Sequence, residues 1–76
     1  MAMVKKVYKL EELDCANCAM KMQDAVGKLE EVAFCEINFL MQRITLEFDE
    51  DNKDKTLKQV QKCIKKVERD CRMIVD

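Results

Sequence analysis

The order in which the hydrophobic period changes along the chain constrains its fold more than any other feature. Apolar and polar residues alternate around Tyr8 and Leu10, which predicts a strand over residues 5–13. From Ala16 the apolar residues recur at helical spacing, which predicts an amphipathic helix over 16–30. The chain therefore opens with a strand followed directly by a helix.

The remaining elements complete the pattern. We predict strands over 32–39 and 43–49 joined by a hairpin at Leu40–Gln42, a polar loop over 50–55, a helix carrying Leu57, Val60, Ile64 and Val67, and a strand over 71–76. The order is βαββαβ. An α+β ferredoxin-like sandwich satisfies this order, with a four-stranded antiparallel sheet and both helices on one face.

Length and turn chemistry limit the architecture further. The 76 residues include no proline and a single glycine, and they suffice for one small domain, 1–76. Following the strand directions of the predicted sandwich brings three connections to one end of it. These connections are the loop at Cys15–Cys18, the hairpin at Leu40–Gln42 and the turn at Glu68–Cys71.

Composition excludes several classes of protein. The net charge is −1, so no global charge imbalance attracts nucleic acid, and no apolar run reaches the roughly 18 residues of a membrane-spanning helix. Five cysteines in a chain whose start lacks an apolar signal-peptide core indicate reduced thiols and a cytoplasmic location. No phosphate loop or Ser/His/Asp set is present, so we expect no enzyme. We also expect no nucleic-acid or membrane contact, and a monomer when no ligand is bound.

The stretch LDCANCA, residues 13–19, carries the chemistry. Cys15 and Cys18 stand three positions apart at the predicted helix start, where unpaired backbone N–H groups and the helix dipole favour thiolates. Asp14 and Asn17 are candidate capping residues for this helix. A thiolate pair fits a redox site, half of a structural zinc site, or an open site for a soft metal ion; the pair can also simply fill a loop.

Other residue types weigh against the first two alternatives. A thioredoxin-like redox site normally has an aromatic residue before the pair and a cis-proline facing it, and the chain has no tryptophan and no proline. A closed zinc site needs four Cys or His ligands, but the chain has no histidine and no second CxxC pair. The open two-sulfur site is therefore the favoured interpretation.

The chain resembles the heavy-metal-associated domains of metallochaperones and of the cytosolic tails of heavy-metal-transporting P-type ATPases. ELDCANC falls on the family's Gly-Met-Thr-Cys-x-x-Cys, with Cys15 and Cys18 on its cysteines, and Ile37–Asn38 falls on its Val-Asn. Glu12 stands where the family has glycine, and Asp14 stands where it has threonine. The resemblance implies metal binding and transfer, and the Asp-Cys-x-x-Cys form is similar to the zinc-, cadmium- and lead-transporting branch.

Ligand chemistry agrees with that branch. Two thiolates satisfy Cu(I), whereas a divalent ion requires three or four ligands. Without histidine, Asp14 is the nearest additional donor, so Zn(II), Cd(II) or Pb(II) is preferred over Cu(I). Cys71 opens the last strand, at the end of the predicted sandwich that carries Cys15 and Cys18, with an inward side chain; it is either a core residue or a third sulfur ligand. Cys35 and Cys63 are interpreted as small core residues.

Partners follow from the resemblance. It implies a metallochaperone, or a transporter's own cytosolic domains, as the partner in metal transfer, with ATP-driven translocation belonging to a longer chain. A free-standing copper or zinc metallochaperone is the alternative, and a thiol–disulfide redox protein ranks lower. Residues 53–66 hold six lysines and one aspartate, which fits a solvated helix face or a docking surface for an acidic partner.

An RNA-recognition domain is the competing binding class, because it shares the βαββαβ order. Such domains read bases with aromatic side chains on the exposed sheet face. The outward residues predicted for the third strand are Arg43, Thr45 and Glu47, so the aromatic platform is missing. A single outward ring at Phe34 does not replace it.

Overall fold

The computed structural model describes residues 2–75 and confirms the predicted βαββαβ order. Its elements are β1 (Met3–Glu11), α1 (Ala16–Gly27), β2 (Val32–Asn38), β3 (Arg43–Asp49), a 3-10 helix (Glu50–Asn52), α2 (Lys53–Val67) and β4 (Arg72–Ile74). The four strands form one antiparallel sheet in the order β2-β3-β1-β4. Every strand thus pairs as the ferredoxin-like topology requires.

The core lies between the sheet and the two helices. Strand β3 alternates as predicted: Ile44, Leu46 and Phe48 are fully buried, and the residues between them are partly exposed. The helices cover these side chains with buried residues of their own, including Met22 on α1 and Ile64 on α2. Burying each such side chain contributes roughly 1.5–3 kcal/mol, so this alternation is what fixes the register of the sheet.

Helix α1 ends three residues earlier than its apolar period predicts. The prediction extended to residue 30, but the last helical residue is Gly27. The N–H of Lys28 closes the helix on the carbonyls of Ala25 and Val26, and the N–H of Leu29 also turns back to Val26. The chain needs these residues to reverse direction into β2, so the predicted boundary was wrong.

The predicted loop at 50–55 is also wrong. The carboxylate of Asp49 accepts the N–H of Asp51 at 3.0 Å and starts the 3-10 helix, and α2 follows from Lys53. The polar residues of this segment are the exposed first turns of a helix whose apolar stripe begins only at Leu57. The lysines expected off the apolar face, from Lys55 to Lys66, are indeed exposed.

The first and last strands differ from prediction at their ends. Strand β1 stops at Glu11 instead of residue 13, because Glu12 turns the chain with a φ of 62°. Strand β4 covers only Arg72–Ile74 of the predicted 71–76, and residue 76 lies outside the described residues. The N–H and C=O of Met73 on its outer edge are bonded by the side chain of Gln61 at 2.8 and 2.9 Å.

The three connections expected at one end of the sandwich do meet there. The N–H of Leu10, near the end of β1, donates to the carbonyl of Gln42 in the hairpin at 2.8 Å. Glu11 pairs with Arg72, which brings the turn before β4 beside the loop that follows β1. This end is called the metal end below, because it carries Cys15 and Cys18.

Candidate metal centre

A short loop between β1 and α1 carries the cysteine pair. Glu12 adopts a left-handed conformation, and Leu13 then turns inward, where only 2% of it is exposed. Both backbone groups of Leu13 are bonded by the side chain of Gln42, at 3.2 Å from its N–H and 2.6 Å from its carbonyl. Leu13 therefore anchors the loop to the core and to the hairpin.

The first cysteine caps the helix itself. Cys15 is the N-cap residue of α1, and its Sγ accepts the backbone N–H of Cys18 at 3.3 Å. Its carbonyl accepts the N–H of Ala19 at 3.0 Å, which is the first regular turn of the helix. Both thiols are half-buried at this end of the helix, so part of each residue is open to an ion from solvent.

The pKa values of the two thiols are shifted in opposite directions. Hydrogen bonds from Cys18 hold the pKa of Cys15 below its ordinary value of 9.0. The hydrogen bond with Cys15, together with burial, raises the pKa of Cys18 to about 11. The sequence predicted that the helix start would favour thiolates at both positions, and this holds for Cys15 only. Cys15 therefore loses its proton more readily than Cys18.

Asp14 is exposed beside the pair, but it does not cap the helix. The capping interaction belongs to Cys15, so the prediction of Asp14 or Asn17 as the cap was wrong. The Asp14 carboxylate remains close to the metal end, because its charge is one of those that raise the pKa of Cys71. The Asp14 carboxylate can therefore act as a metal ligand without first breaking a capping hydrogen bond.

Glu68 is the residue of this end that the sequence reasoning missed. It follows α2 directly, and its Oε2 accepts the thiol of Cys18 at 3.8 Å. Fifty positions separate the two residues, so no local motif joins them. The available signal was topological, since the turn at Glu68–Cys71 was expected at this end and its first residue is acidic. A carboxylate in contact with one thiol is the kind of donor that a two-sulfur site lacks for a divalent ion.

Cys71 lies at the metal end but faces the core. It is fully buried, and its N–H donates to the carbonyl of Glu68 at 3.1 Å. Burial raises the pKa of Cys71 to about 11, with further contributions from the carboxylates of Glu68, Asp14 and Glu12. Its inward orientation and its position beside the loop are as predicted. Within residues 2–75, no three Cys, Asp or Glu side chains are grouped closely enough to hold a metal ion together.

The other two cysteines are away from this loop and contact the core. Cys35 on β2 and Cys63 on α2 are half-buried and pack against the buried cluster, which agrees with the prediction for both. Burial raises the pKa of Cys35 to about 12, with smaller contributions from the charges of Cys63 and Glu36. Such a thiol is neither a ready nucleophile nor a ready ligand at neutral pH.

A ferredoxin-like βαββαβ sandwich with a CxxC pair at the start of its first helix defines a class of small heavy-metal-binding domains. Comparison with protein families agrees: the model of the heavy-metal-associated domain matches residues 7–70. The chain belongs to this family. None of the helices described between residues 2 and 75 has the length and apolar character needed to span a bilayer.

The comparisons also identify individual proteins that are similar to this chain. The cadmium, zinc and cobalt-transporting ATPase of Bacillus subtilis (strain 168) is 31% identical over 68 residues, which are 90% of this chain. The chain spans only 10% of the length of that relative. The N-terminal soluble domains of Bacillus subtilis CopA superpose with a TM-score of 0.78 at 21% identity, over 99% of this chain and 48% of that one.

A metallochaperone has the same fold. CopZ superposes with a TM-score of 0.69 at 14% identity, over 93% of this chain and 100% of that one. Identities this low show the shared fold alone. The fold is therefore shared with the N-terminal soluble domains of CopA and with a metallochaperone.

Proposed function

We propose that this chain binds a soft divalent metal ion, Zn(II), Cd(II) or Pb(II) in preference to Cu(I), and passes it to a partner. Cys15 and Cys18 supply two sulfurs, and a carboxylate from Asp14 or Glu68 moves towards the ion on binding to complete the site, since no third donor is grouped with the pair in the metal-free arrangement of residues 2–75. The observation that carries the proposal is the contact of Glu68 Oε2 with Cys18 Sγ at 3.8 Å, beside the helix-capping Cys15.

Coordination number supports the choice of a divalent ion. Two thiolates are sufficient for Cu(I), whereas zinc and cadmium favour four ligands. The chain has no histidine, so carboxylates are the donors available at this end. Zn(II) with two thiolates is neutral, and one carboxylate gives a complex of charge −1. Two half-exposed sulfurs with one or two carboxylates form an open site, which suits an ion that must be released again.

The similarity to the cadmium, zinc and cobalt-transporting ATPase supports a place for this domain in a larger protein, since the chain matches only 10% of that relative. We propose that the chain acts as the cytosolic N-terminal domain of a heavy-metal-transporting P-type ATPase, located in the cytoplasm and monomeric when metal-free. ATP-driven translocation would belong to the rest of that protein. Metal would be exchanged with a metallochaperone or with the transporter's other cytosolic domains, and the exposed lysines of α2 offer a surface to an acidic one.

Competitive metal titration of the reduced protein tests the proposal. The parent is expected to bind one equivalent of Cd(II) or Zn(II), and the Cys15→Ser/Cys18→Ser variant is expected to lose it while remaining folded. Cys63→Ser is the matched control, since it removes a half-buried thiol that contacts the core instead of the loop. Equal loss in the control, or full binding by the double variant, would contradict the assignment of the thiol pair.

The carboxylates are tested separately. Asp14→Asn and Glu68→Gln are expected to weaken Cd(II) binding by at least about tenfold, which is the usual loss of affinity when a residue that supports the metal ligands is removed. Cu(I) binding is expected to stay nearly unchanged. Equal loss for both metals would argue against carboxylate ligation and would favour a copper chaperone. Cys71→Ala is expected to keep the full cadmium–sulfur charge-transfer absorption, and a loss of one thiolate's share would make Cys71 a third sulfur ligand.

A further inference from the structure

The side chain of Gln42, at the end of the hairpin between β2 and β3, holds the loop that precedes the two cysteines. We propose that Gln42 is a positioning residue for the metal loop: it fixes the backbone before Asp14 and Cys15, so that the thiol pair is already oriented when the ion arrives. This inference rests on the function proposed above. Gln42 itself contacts neither cysteine in the bonds described below.

The side chain of Gln42 makes three hydrogen bonds, two to the loop at Leu13 and one within the hairpin to Phe39. Gln42 Oε1 accepts the N–H of Leu13 at 3.2 Å, and Gln42 Nε2 donates to the carbonyls of Leu13 at 2.6 Å and Phe39 at 3.1 Å. The backbone carbonyl of Gln42 accepts the N–H of Leu10 at 2.8 Å. The amide side chain thus bonds Leu13 as a neighbouring strand would, beyond the point where β1 has ended.

These bonds act on the two peptide planes that flank Leu13. A peptide group is planar, so a bond to the N–H of Leu13 orients the group shared with Glu12, and a bond to its carbonyl orients the group shared with Asp14. The next fixed plane follows Cys15, whose carbonyl is held by the N–H of Ala19. Only the dihedral angles of Asp14 and Cys15 lie between two fixed planes, which leaves the Cys15 sulfur little freedom.

The turn alone does not explain a glutamine at this position. Gln42 has a φ of 54°, a left-handed conformation that glycine adopts without steric penalty and that asparagine tolerates better than glutamine. Neither of those residues has a side chain long enough to replace the amide that reaches both backbone groups of Leu13. A long amide is present here despite an unfavourable backbone conformation, and its bonds to Leu13 supply a reason for it.

Two substitutions separate positioning from stability. Gln42→Leu removes the hydrogen bonds while keeping an unfavourable backbone, and Gln42→Gly removes them while relieving it. Gln61→Leu is the matched control, because Gln61 makes the same pair of bonds to the backbone of Met73 on β4, outside the metal loop. Each protein is reduced and metal-free at the start, its melting temperature is recorded, and Cd(II) is titrated against a competing chelator.

Both Gln42 variants are expected to bind Cd(II) about tenfold more weakly than the parent, the lower end of the range for residues that orient metal ligands. The 113Cd resonance is expected to broaden in both, since the ligand geometry is no longer fixed. The glycine variant should melt above the leucine variant yet bind no better. The Gln61→Leu variant should lose melting temperature while its Cd(II) affinity stays at the parent value.

Unchanged Cd(II) affinity in the Gln42 variants would overturn the inference, as would an equal loss in Gln61→Leu, which would make the effect one of general stability. If the leucine variant does not fold, the glycine variant decides by the same criterion. A parent that binds no Cd(II), or whose binding survives Cys15→Ser/Cys18→Ser, would instead refute the proposed function. That result is distinguishable, because it appears before any change at Gln42.

Discussion

Replacing Glu12 by glycine is expected to stabilise the metal-free protein. Glu12 has a φ of 62°, and it stands where the heavy-metal-associated family has glycine. An L-residue in the left-handed region is disfavoured by roughly 1–2 kcal/mol. Glycine loses about 0.5–1 kcal/mol more chain entropy on folding than a residue with a Cβ. The net gain in the free energy of unfolding is therefore about 0.5–1 kcal/mol.

Thermal unfolding followed by circular dichroism measures this gain. A change of 1 kcal/mol shifts the melting temperature of a domain of this size by about 4–8 °C, so a rise of roughly 2–8 °C is expected for Glu12→Gly. Glu12→Ala is the control, because it removes the same carboxylate and keeps the Cβ. The difference between the two variants isolates the backbone conformation from the charge.

A glycine variant that melts at or below the alanine variant would refute the argument from backbone strain. Metal binding supplies a second, independent comparison. Burial is the main cause of the raised pKa of Cys71, followed by the charges of Glu68 and Asp14. The Glu12 carboxylate contributes as well, so its charge acts at the metal end. Both variants lose this charge, so both should bind Cd(II) more weakly by the same factor, although only one of them gains stability.

Two further predictions concern other parts of the chain. Iodoacetamide added below one equivalent near pH 8 should alkylate Cys15 before Cys18, as read by peptide mass spectrometry, because the pKa of Cys15 is lowered from 9.0 and that of Cys18 is raised to about 11. Preference for Cys18 would contradict this order. Thr56→Val should raise the free energy of unfolding by about 1 kcal/mol, since the buried Thr56 hydroxyl meets no hydrogen-bond partner among residues 2–75. A urea midpoint below that of the parent would show that the hydroxyl is satisfied after all.

Hydrophobic alternation predicted the centre of each element better than its ends. The limits of β3 were predicted correctly at both ends, because each inward residue from Ile44 to Phe48 is fully buried and each neighbour is not. The start of α2 was missed, because its first turns are exposed and their order depends on the Asp49 carboxylate and the Asp51 N–H. Burial leaves a periodic signal in the sequence, whereas a single capping bond does not.

The candidate site divides in the same way. Cys15 and Cys18 are recognisable from their spacing, and the topology correctly brought the hairpin and the last turn to their end. The roles of Glu68 and Gln42 were not predicted, since each depends on one side-chain contact across 50 and 29 positions respectively. Such contacts require the register of the whole sheet before a particular side chain can be assigned to them.

The edge strands of a sheet have unpaired backbone N–H and C=O groups, and proline is one residue that blocks pairing there. This chain has no proline, and glutamine side chains bond some of these groups instead. Gln23 accepts the N–H of Ile37 at 2.8 Å on the outer strand β2, and Gln61 bonds both backbone groups of Met73 on the outer strand β4. The side-chain amide carries the same donor and acceptor as a peptide group, so it can occupy an edge position that another strand would otherwise use. Covered edges resist pairing with a second chain. The N–H of Ile37 and both backbone groups of Met73 are therefore unavailable to pair with a second chain at these two points of the sheet edges.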